Sequence, residues 1–534
     1  MGKSELAVQY GRRHLAETYR GGVVWLAGER AGFELLSFCP IDVFPTVNFS
    51  QLGDLREQLA FCWAHWPAIE VPPESVLLIF DDVTDYAAQV KPCLPSDGRF
   101  RVLVTTRERL QGIDRLDLAV LKPLAAIRLL TLWIGRDRVC QEARIARDLL
   151  KWLGYLPLAI ELVGSLLAIE PDLTIAKLFD QLKTERLRHE AIEPIEVAFN
   201  VSWQRLSDAA KQMAMGLSVF ASAPIPWELV ERTIAGCKLD DTPKPERKRD
   251  KLRRWLKREA PPTVKQWCLL LDEKARRQAR RELERLHLLD RVSEERYGLH
   301  PLIREFFAVK LAARSEATDW RRSFARVMTA IAEEIPQTVT ISQQAELKEA
   351  IVHLAAATEY SDLLSDADWD WPFVGLARFY KAQSLFSEAE TYSQQCLDRS
   401  EIRFGADHPD TATSLNNLAG LYESQGKYES AEPLYQRALD IYERQLGADH
   451  PLTASSLNNL AVLYCYQARW GEAERLLVRA LLIRAQKLGE AHPDTQGSFQ
   501  SLTNLIQYAI KQNRTAELSE HPLTQHLLTQ LRQQ

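Results

Sequence analysis

The sequence predicts a multidomain α/β plus α fold, in which a parallel sheet precedes a long series of paired helices. Short branched apolar runs alternate with helical stretches over residues 21–105, which is the pattern of a parallel sheet covered by helices. Near the carboxyl end, a 42-residue period recurs. The 534 residues also exceed what one hydrophobic core usually organises, so we expect several domains.

The composition is that of an ordinary globular protein. Apolar residues make up 46% of the chain, charged residues 26%, and the net charge is −5, so no bulk attraction to nucleic acid or anionic membranes follows. None of the eight cysteines forms a Cys-x-x-Cys pair, which indicates reduced thiols rather than a zinc site. No apolar run approaches the ~18–20 residues that span a bilayer. The amino terminus has no apolar signal core, and we expect a cytoplasmic protein without a membrane partner.

The period is visible as repeated sequence motifs. His408-Pro, His450-Pro and His492-Pro follow each other at 42 residues, and Ser-Leu-Asn-Asn-Leu-Ala recurs at 414 and 456. Such self-similarity predicts stacked two-helix units that bury their apolar faces only against each other. A weaker copy begins near 371 and a degraded copy follows 496, so we expect an array over 371–530 that ends in a cap.

Two residue types define the packing within each unit. Small residues are expected to let the helices approach closely, namely Ala419, Ala431, Ala438, Ala461, Ala473 and Ala480. Gly426 is predicted to end a first helix. Gly447 and Gly489 are predicted to end second helices, where a left-handed residue is needed.

The pattern resembles the tetratricopeptide repeat, in the 42-residue form found in kinesin light chains. Arrays of that family form a superhelix whose concave face binds peptides. The resemblance therefore implies a protein or peptide partner, with Asn416, Asn417, Asn458 and Asn459 in the groove. An amide both donates and accepts hydrogen bonds, so it can pair with an extended peptide backbone. The alternative is that these side chains bond neighbouring repeats or water.

Polar residues follow the predicted strands of the first third. The strand beginning at Val76 ends in Asp81, which could hold a hydrated magnesium ion, and Asp82, which could polarise a water. A strand that merely ends in Asp at a turn would look the same. After the next strand, Arg107 follows two threonines and could sense a terminal phosphate or simply begin a helix in solvent.

The order and spacing of these motifs, with the Leu-Pro157-Leu segment after them, resemble the NB-ARC branch of the STAND signalling P-loop NTPases. The resemblance implies a P-loop NTPase parallel sheet over 1–122 and a helical accessory domain over 123–190. It also implies ADP or ATP with Mg²⁺ as cofactors, and Pro157 packed on the adenine.

The phosphate loop departs from the family pattern. Gly2-Lys3-Ser4 is present, so Lys3 and Ser4 could meet phosphates and magnesium, but the preceding strand and glycine turn are missing. Most of the backbone amides that would surround the anion are therefore absent. We hypothesise that Met1 stands where the family has Val, because a Val codon was read as the start. If the chain begins at Met1, we expect poor nucleotide affinity.

A winged helix is predicted over 191–310, with a basic insertion over 237–270. Within it, His300 aligns with the histidine of the family's Met-His-Asp motif and is expected to touch the β-phosphate of ADP, although Pro301 replaces the aspartate. The alternative is that His300 is a structural histidine near a turn. Segment 244–260 carries nine basic and three acidic residues, but charge runs are usually solvated, so we do not favour DNA as a partner. A helical linker is expected over 311–370.

These features predict an ADP/ATP-binding signalling switch whose repeats sense a protein partner, with a homo-oligomer in the activated state. Nucleotide binding and partner binding would be coupled if both sites shift the same equilibrium between two states of the protein. Slow hydrolysis, with Asp82 as the catalytic residue, would reset the switch. The alternatives are a nucleotide-independent repeat scaffold and, with less support, a winged-helix transcription regulator.

Overall fold

The computed structural model describes residues 3–15, 18–28, 31–32, 35, 55–66, 75–95, 98–106, 110, 114, 116, 120–188, 194–237 and 271–533. The chain divides into two compact units, Met1–Pro372 and Phe373–Gln534. Gly2, Arg107 and the basic segment 244–260 lie outside the described residues.

A parallel sheet of three strands opens the first unit. Its strands are β1 (Val23–Ala27), β2 (Val76–Val83) and β3 (Phe100–Thr106), and β2 lies between the other two. Among the described residues around it lie the helices α1 (Lys3–His14), α2 (Leu55–His65) and the short α3 (Tyr86–Gln89). Most residues of β2 are buried, as expected for a central parallel strand. The sheet confirms the α/β part of the predicted fold class.

Helix α1 is held on the sheet by apolar contacts. Ala7 packs in one cluster with Tyr19, Leu77 and Ile79, all of them buried. Because α1 starts beside the carboxyl ends of the strands and runs back along the sheet, its first residues lie at the edge where parallel sheets usually bind ligands.

The rest of the first unit is mainly helical. Its helices are α4 (Pro123–Ile134), α5 (Arg136–Gln141), α6 (Ala143–Trp152), α7 (Pro157–Ile169), α8 (Ile175–Arg188), α9 (Pro194–Gln204), α10 (Asp208–Leu217), α11 (Trp227–Cys237), α12 (Glu273–Arg285), α13 (Pro301–Ala312), α14 (Ala317–Glu334) and α15 (Ile341–Ala357). Helices α4 and α7 approach so closely that a Cβ at Gly164 would lie 2.7 Å from the Trp133 side chain.

A second, antiparallel sheet lies among these helices. Its strands are β4 (Ile225–Pro226), β5 (Asp290–Ser293) and β6 (Arg296–Gly298), in the order β4-β6-β5. Tyr297 of β6 is buried, with its ring 5.0 Å from that of Trp227 and the Arg280 guanidinium 5.3 Å away. These aromatic and cation contacts fix the small sheet to α11 and α12.

The second unit consists of helices. They are α16 (Trp371–Ala382), α17 (Phe386–Phe404), α18 (Pro409–Ser424), α19 (Tyr428–Gln445), α20 (Pro451–Tyr466), α21 (Trp470–Leu488), α22 (Pro493–Lys511) and α23 (Pro522–Gln533). The small residues predicted at the close approaches are fully buried, namely Ala419, Ala431, Ala438, Ala461, Ala473 and Ala480. This confirms the helical-repeat part of the fold class.

The turns after the second helices need glycine, but not for the predicted conformation. Gly405, Gly447 and Gly489 have φ values of 98°, 98° and 89°, while ψ is 160° at Gly405 and Gly489. Those two residues are therefore in an extended region that is essentially restricted to glycine, not in the left-handed helical region we predicted for Gly489. Gly426, with φ of 72°, does follow the end of α18.

Across the described residues, none of the helices combines the length and the apolar character that a membrane span requires.

Candidate functional sites

The first candidate site lies at the carboxyl ends of the parallel strands. The Lys3 ammonium donates to the backbone oxygen of Thr106, the last residue of β3, over 2.5 Å. Because Lys3 also begins α1, its side chain and the amino-terminal end of that helix meet the strand ends at the same edge. Both carry positive charge or partial charge, which favours an anionic ligand.

A carboxylate is held in a fixed position at this edge. Thr105 donates its hydroxyl hydrogen to Oδ1 of Asp81 over 2.5 Å and accepts the backbone N–H of Asp82 over 2.9 Å. Asp81 is half-buried and Asp82 exposed. With Oδ1 held by Thr105, the second oxygen of Asp81 is available to a hard cation such as Mg²⁺.

The backbone is unusual at the same place. Asp82 has φ of 51°, in the left-handed region that aspartate tolerates better than most residues. Directly after the neighbouring strand β1, Gly28 lies so close to Val83 that a Cβ at Gly28 would be 2.8 Å from the Val83 Cα. A side chain at Gly28 would therefore push β1 away from the strand that carries Asp81.

Of the other residues predicted to contact nucleotide, Ser4 adjoins Lys3, whereas Pro157 and His300 lie at the starts of two later helices. Ser4 is exposed in the first turn of α1. Pro157 is the first residue of α7 and is half-buried, and His300 is the N-cap of α13. The structure thus joins Lys3 and Asp81 through two consecutive threonines that the sequence analysis had not included.

His300 has a defined structural role. Its Nδ1 accepts the backbone N–H of Leu302 over 3.3 Å, and Pro301 is the first residue of the helix. The same arrangement, a histidine N-cap whose Nδ1 accepts the amide two residues on, occurs at His408, His450, His492 and His521. As a structural residue, His300 therefore acts as a helix N-cap. The His-Pro dipeptide that precedes each of these helices is the sequence signal for such a cap.

The second candidate site is the set of asparagines on the first helices of the repeats. Ser456 donates to Oδ1 of Asn416 over 3.3 Å, so Asn416 bonds the neighbouring repeat, which is the alternative considered above. Asn417 is exposed and Asn459 half-buried. Oδ1 of Asn458 is buried and accepts no hydrogen bond from the described residues. The four asparagines are therefore not equivalent.

Charged side chains also occur on the first helices. Lys381 donates to the backbone oxygen of Gly420 over 3.4 Å, and Tyr435 donates to Glu423 over 3.0 Å. Burial raises the pKa of the Glu423 carboxyl, against the opposing hydrogen bond from Tyr435. Burial likewise lowers the pKa of Lys381, against the attraction of Glu423. The sequence pattern gives no signal for Lys381 and Glu423, because both lie outside the repeated motifs.

Comparison with known proteins identifies the repeats. The family model described as tetratricopeptide repeat matches residues 371–444 and 415–486, so this part of the chain consists of tetratricopeptide repeats. The match covers the asparagines and the helices that carry them.

Two curated relatives match about a quarter of the chain. The regulatory protein AfsR of Streptomyces coelicolor is 35% identical over 156 residues, 28% of this chain and 16% of the relative. AfsR of Streptomyces griseus is 33% identical over 141 residues, 25% of this chain and 14% of the relative. The matched parts thus span less than a fifth of each relative's length.

Three solved structures show distant likeness. Kinesin light chain-type repeats from Podosopora anserina are 24% identical, covering 40% of this chain and 95% of that one, with a TM-score of 0.31. BtubC from P. vanneervenii is 22% identical, covering 42% and 89%, with a TM-score of 0.32. A signal transduction ATPase with numerous domains and a tetratricopeptide repeat sensor, from Pyrococcus horikoshii, is 15% identical, covering 97% and 91%, with a TM-score of 0.32. No fold is assigned from scores at this level.

Proposed function

We propose that this protein is a signalling switch of the NB-ARC type, in which a nucleotide site in the first unit is coupled to partner binding by the repeats. The observation that carries the nucleotide part is the meeting of Lys3, Asp81 and Thr105 at the carboxyl edge of the parallel sheet. A cation, a helix amino terminus and an oriented carboxylate at one sheet edge suit a phosphate ligand with a divalent ion.

The residues present fit ADP or ATP with Mg²⁺. Magnesium is usually held by one or two carboxylates together with phosphate oxygens and water, and Asp81 and the Ser4 hydroxyl are oxygen donors of the right kind. Lys3 would neutralise phosphate charge, Arg107 would contact the terminal phosphate, and Pro157 would pack on the base. When bound, the metal ion would draw charge from the phosphates. Asp82, exposed at the same edge, would orient a water.

The repeats supply the partner-binding part. Tetratricopeptide repeats stack into an extended surface, and here the exposed Asn417 and the half-buried Asn459 lie one repeat apart along it. A partner that binds one state of the protein more tightly than the other would shift its equilibrium, and nucleotide would then change the affinity for the partner by the same factor. In the activated state, the protein would form a homo-oligomer.

Equilibrium binding of fluorescently labelled ADP to the chain, extended at its amino terminus by the strand and glycine turn of a full phosphate loop, tests the nucleotide part. We expect saturable binding that strengthens with Mg²⁺ and weakens at least tenfold in Lys3→Ala, since charge-assisted bonds to phosphate are strong. Lys151→Ala removes an exposed lysine in the last turn of α6 and should bind as the unaltered protein does. ADP binding that is absent, or equal in Lys3→Ala and Lys151→Ala, would contradict the proposal.

The second candidate is a nucleotide-independent scaffold, which the cross-links within the repeats favour. Arg437 pairs with Glu401, and Arg479 with Glu443, both over 2.7 Å and both between successive second helices. These bonds hold the repeats together without any contribution from nucleotide. Partner affinity that is the same with and without ADP, and in Lys3→Ala, would favour this candidate. A winged-helix DNA-binding function is third, and salt-dependent binding to duplex DNA is its test.

A further inference from the structure

Helix α12 directs two of its negative charges toward the protein. It packs against α10, whose N-cap is Ser207. Oε2 of Glu282 accepts the backbone N–H of Ser207 over 3.1 Å and its hydroxyl over 2.7 Å. Oε1 of Glu284 lies 3.8 Å from Nε of Arg280, whose guanidinium lies over the Trp227 ring. Because both carboxylates take part in the contacts that hold α12 in place, they do not neutralise the exposed side of the helix.

The exposed side of α12 carries a row of cations. Lys274, Arg281 and Arg285 are all exposed, and none of them bonds an atom in the part of the chain that the structure describes. Since an α-helix turns by about 100° per residue, the three positions fall within about 40° around its axis and extend over about 16 Å. The nearby Arg277 pairs with Glu273 and is not included. These three unpaired residues form the α12 row.

The positions in the α12 row are unfavourable for the helix by itself. Arg281 and Arg285 are four residues apart, so their like charges repel each other along the helix surface. Lys274 lies in the first turn, where the positive end of the helix dipole disfavours a cation. Within the row, only Arg285 is placed well, because it lies in the last turn. An arrangement that opposes local stability is typical of a functional surface, and its charge indicates an anionic partner.

The β5–β6 hairpin after α12 adds another cation. The exposed Arg291 donates to the backbone oxygens of Ser293 and Glu294 over 3.3 and 3.2 Å, and it makes no ion pair with a carboxylate of the described residues. Arg291 is opposite Tyr297 in the sheet, and the Tyr297 ring lies 5.3 Å from the guanidinium of Arg280 on α12. Because residues directly opposite each other share one face of a sheet, Arg291 lies on the face that contacts α12.

We propose that the α12 row and Arg291 bind the phosphate backbone of duplex DNA, with α12 in the major groove. The major groove of B-form DNA is about 12 Å wide and admits an α-helix, so a row about 16 Å long reaches phosphates on both sides of it. The major groove of duplex RNA is too narrow for a helix. An anionic membrane is less suited, because every exposed residue of α12 is polar or charged and none inserts into lipid.

This inference goes beyond the proposed function, because DNA binding by α12 requires neither nucleotide nor the repeats. Its cations are also distinct from those of segment 244–260, which lies outside the described residues.

Fluorescence anisotropy of a labelled DNA duplex of mixed sequence, titrated with the full chain over a series of salt concentrations, tests the inference. We expect the logarithm of the affinity to fall linearly with the logarithm of salt concentration, with a slope of about −0.9 for each phosphate contact. Arg281→Gln/Arg285→Gln removes two such contacts. It should weaken binding at least tenfold near 0.1 M salt and make the slope shallower by about 2.

A charge-matched control separates this surface from net charge. Arg144→Gln/Arg147→Gln removes two positive charges from exposed positions of α6 and should leave the affinity and the slope nearly unchanged. Circular dichroism establishes that both double variants remain folded. Duplex RNA of the same sequence and vesicles that contain phosphatidylserine should compete poorly with the DNA.

The inference is overturned if the chain does not bind DNA, if the two double variants lose affinity equally, or if RNA or vesicles compete as well as DNA does. Binding that survives in Arg281→Gln/Arg285→Gln with an unchanged slope would assign the DNA to other cations and overturn it too. None of these outcomes affects the proposed function, which the ADP and partner measurements test separately.

Discussion

The hydroxyl of Tyr464 lies 3.2 Å from Oε1 of Glu432, 32 residues earlier in the chain. Tyr422 donates to Glu390 over 2.9 Å at the same separation. In each case, a tyrosine on the first helix of one repeat donates to a glutamate on the second helix of the repeat before. The pair is therefore a contact between repeats, and its 42-residue recurrence is part of what sets their stacking.

Replacing the glutamate should weaken the two junctions unequally. Arg469 pairs with Glu432 over 2.8 Å and also lies over the Tyr464 ring, whereas Lys427 is 3.6 Å from Glu390. We expect Glu432→Gln to lower the local opening free energy by about 1 kcal/mol and Glu390→Gln by about 0.5 kcal/mol, since partly exposed ion pairs contribute little. Hydrogen exchange of α19 and α20, read by mass spectrometry on the full chain, measures this. Equal effects would show that the arginine contributes no more than the lysine.

The same junction should depend on pH. Burial alone would raise the pKa of Glu432, but hydrogen bonds from Arg469 and Gln467 and the Arg469 charge hold it below its ordinary value. A lowered pKa stabilises the fold above the unfolded value of about 4.5, and this stability is lost as pH falls through the lower folded value. The difference in opening free energy between the unaltered protein and Glu432→Gln should therefore be largest near neutral pH and shrink below about pH 4.5. A difference that grows on acidification would contradict this.

Turns after the first helices offer a test of backbone strain. Gly426 has φ of 72°, and the matching residue one repeat later is Ala468, with φ of 58°. A positive φ costs a residue with a Cβ roughly 1–2 kcal/mol, partly offset by the greater chain entropy of glycine. Ala468→Gly should stabilise its turn by about 0.5 kcal/mol, and Gly426→Ala should destabilise its own by about 1 kcal/mol. Thermal unfolding followed by circular dichroism should move in opposite directions for the two variants, and a shared direction would be the contrary result.

Histidine caps should be replaceable by asparagine but not by alanine. Nδ1 of His450 accepts the backbone N–H of Leu452 over 3.2 Å at the start of α20. His450→Ala leaves that amide without its acceptor and should destabilise the helix start by about 1 kcal/mol, whereas His450→Asn should be close to neutral. Exchange of the first-turn amides of α20 reports the effect directly. Equal protection in the alanine and asparagine variants would show that the cap contributes nothing.

Thr105 should position Asp81 for the metal ion. Thr105→Val removes the donor to Asp81 and the acceptor for the Asp82 amide. Under the proposed function, it should weaken Mg²⁺-dependent ADP binding about tenfold and leave metal-free binding nearly unchanged. Thr106→Val is the control, because the Thr106 hydroxyl donates to the Val83 backbone oxygen and not to Asp81, while the Thr106 carbonyl still accepts from Lys3. Equal losses in both variants would indicate general damage to the sheet.

Prediction from sequence succeeded where the signal is local or periodic. The apolar runs expected over residues 21–105 correspond to β1, β2 and β3, β2 begins at Val76 as expected, and the alanines that permit close packing were identified from the repeat. It was less successful for turn geometry, because a glycine indicates only that positive φ is needed. The extended ψ at Gly489 depends on the direction in which the following helix leaves the turn.

The sequence by itself determined that the carboxyl-terminal part is a helical repeat array, because a 42-residue period leaves each unit unable to bury its apolar face alone. It also suggested Lys3 and Asp81 as candidate site residues. Only the tertiary structure decided which side chains join them, because Thr105 and Thr106 reach them through strand order, not through proximity in the chain. The asparagines differ for the same reason. Asn416 and Asn458 lie in nearly identical sequence motifs, yet Asn416 accepts from Ser456 and bonds Tyr442, whereas Oδ1 of Asn458 bonds none of the described residues. The serine that matches Ser456 is Ser498, and it accepts from Arg484 instead.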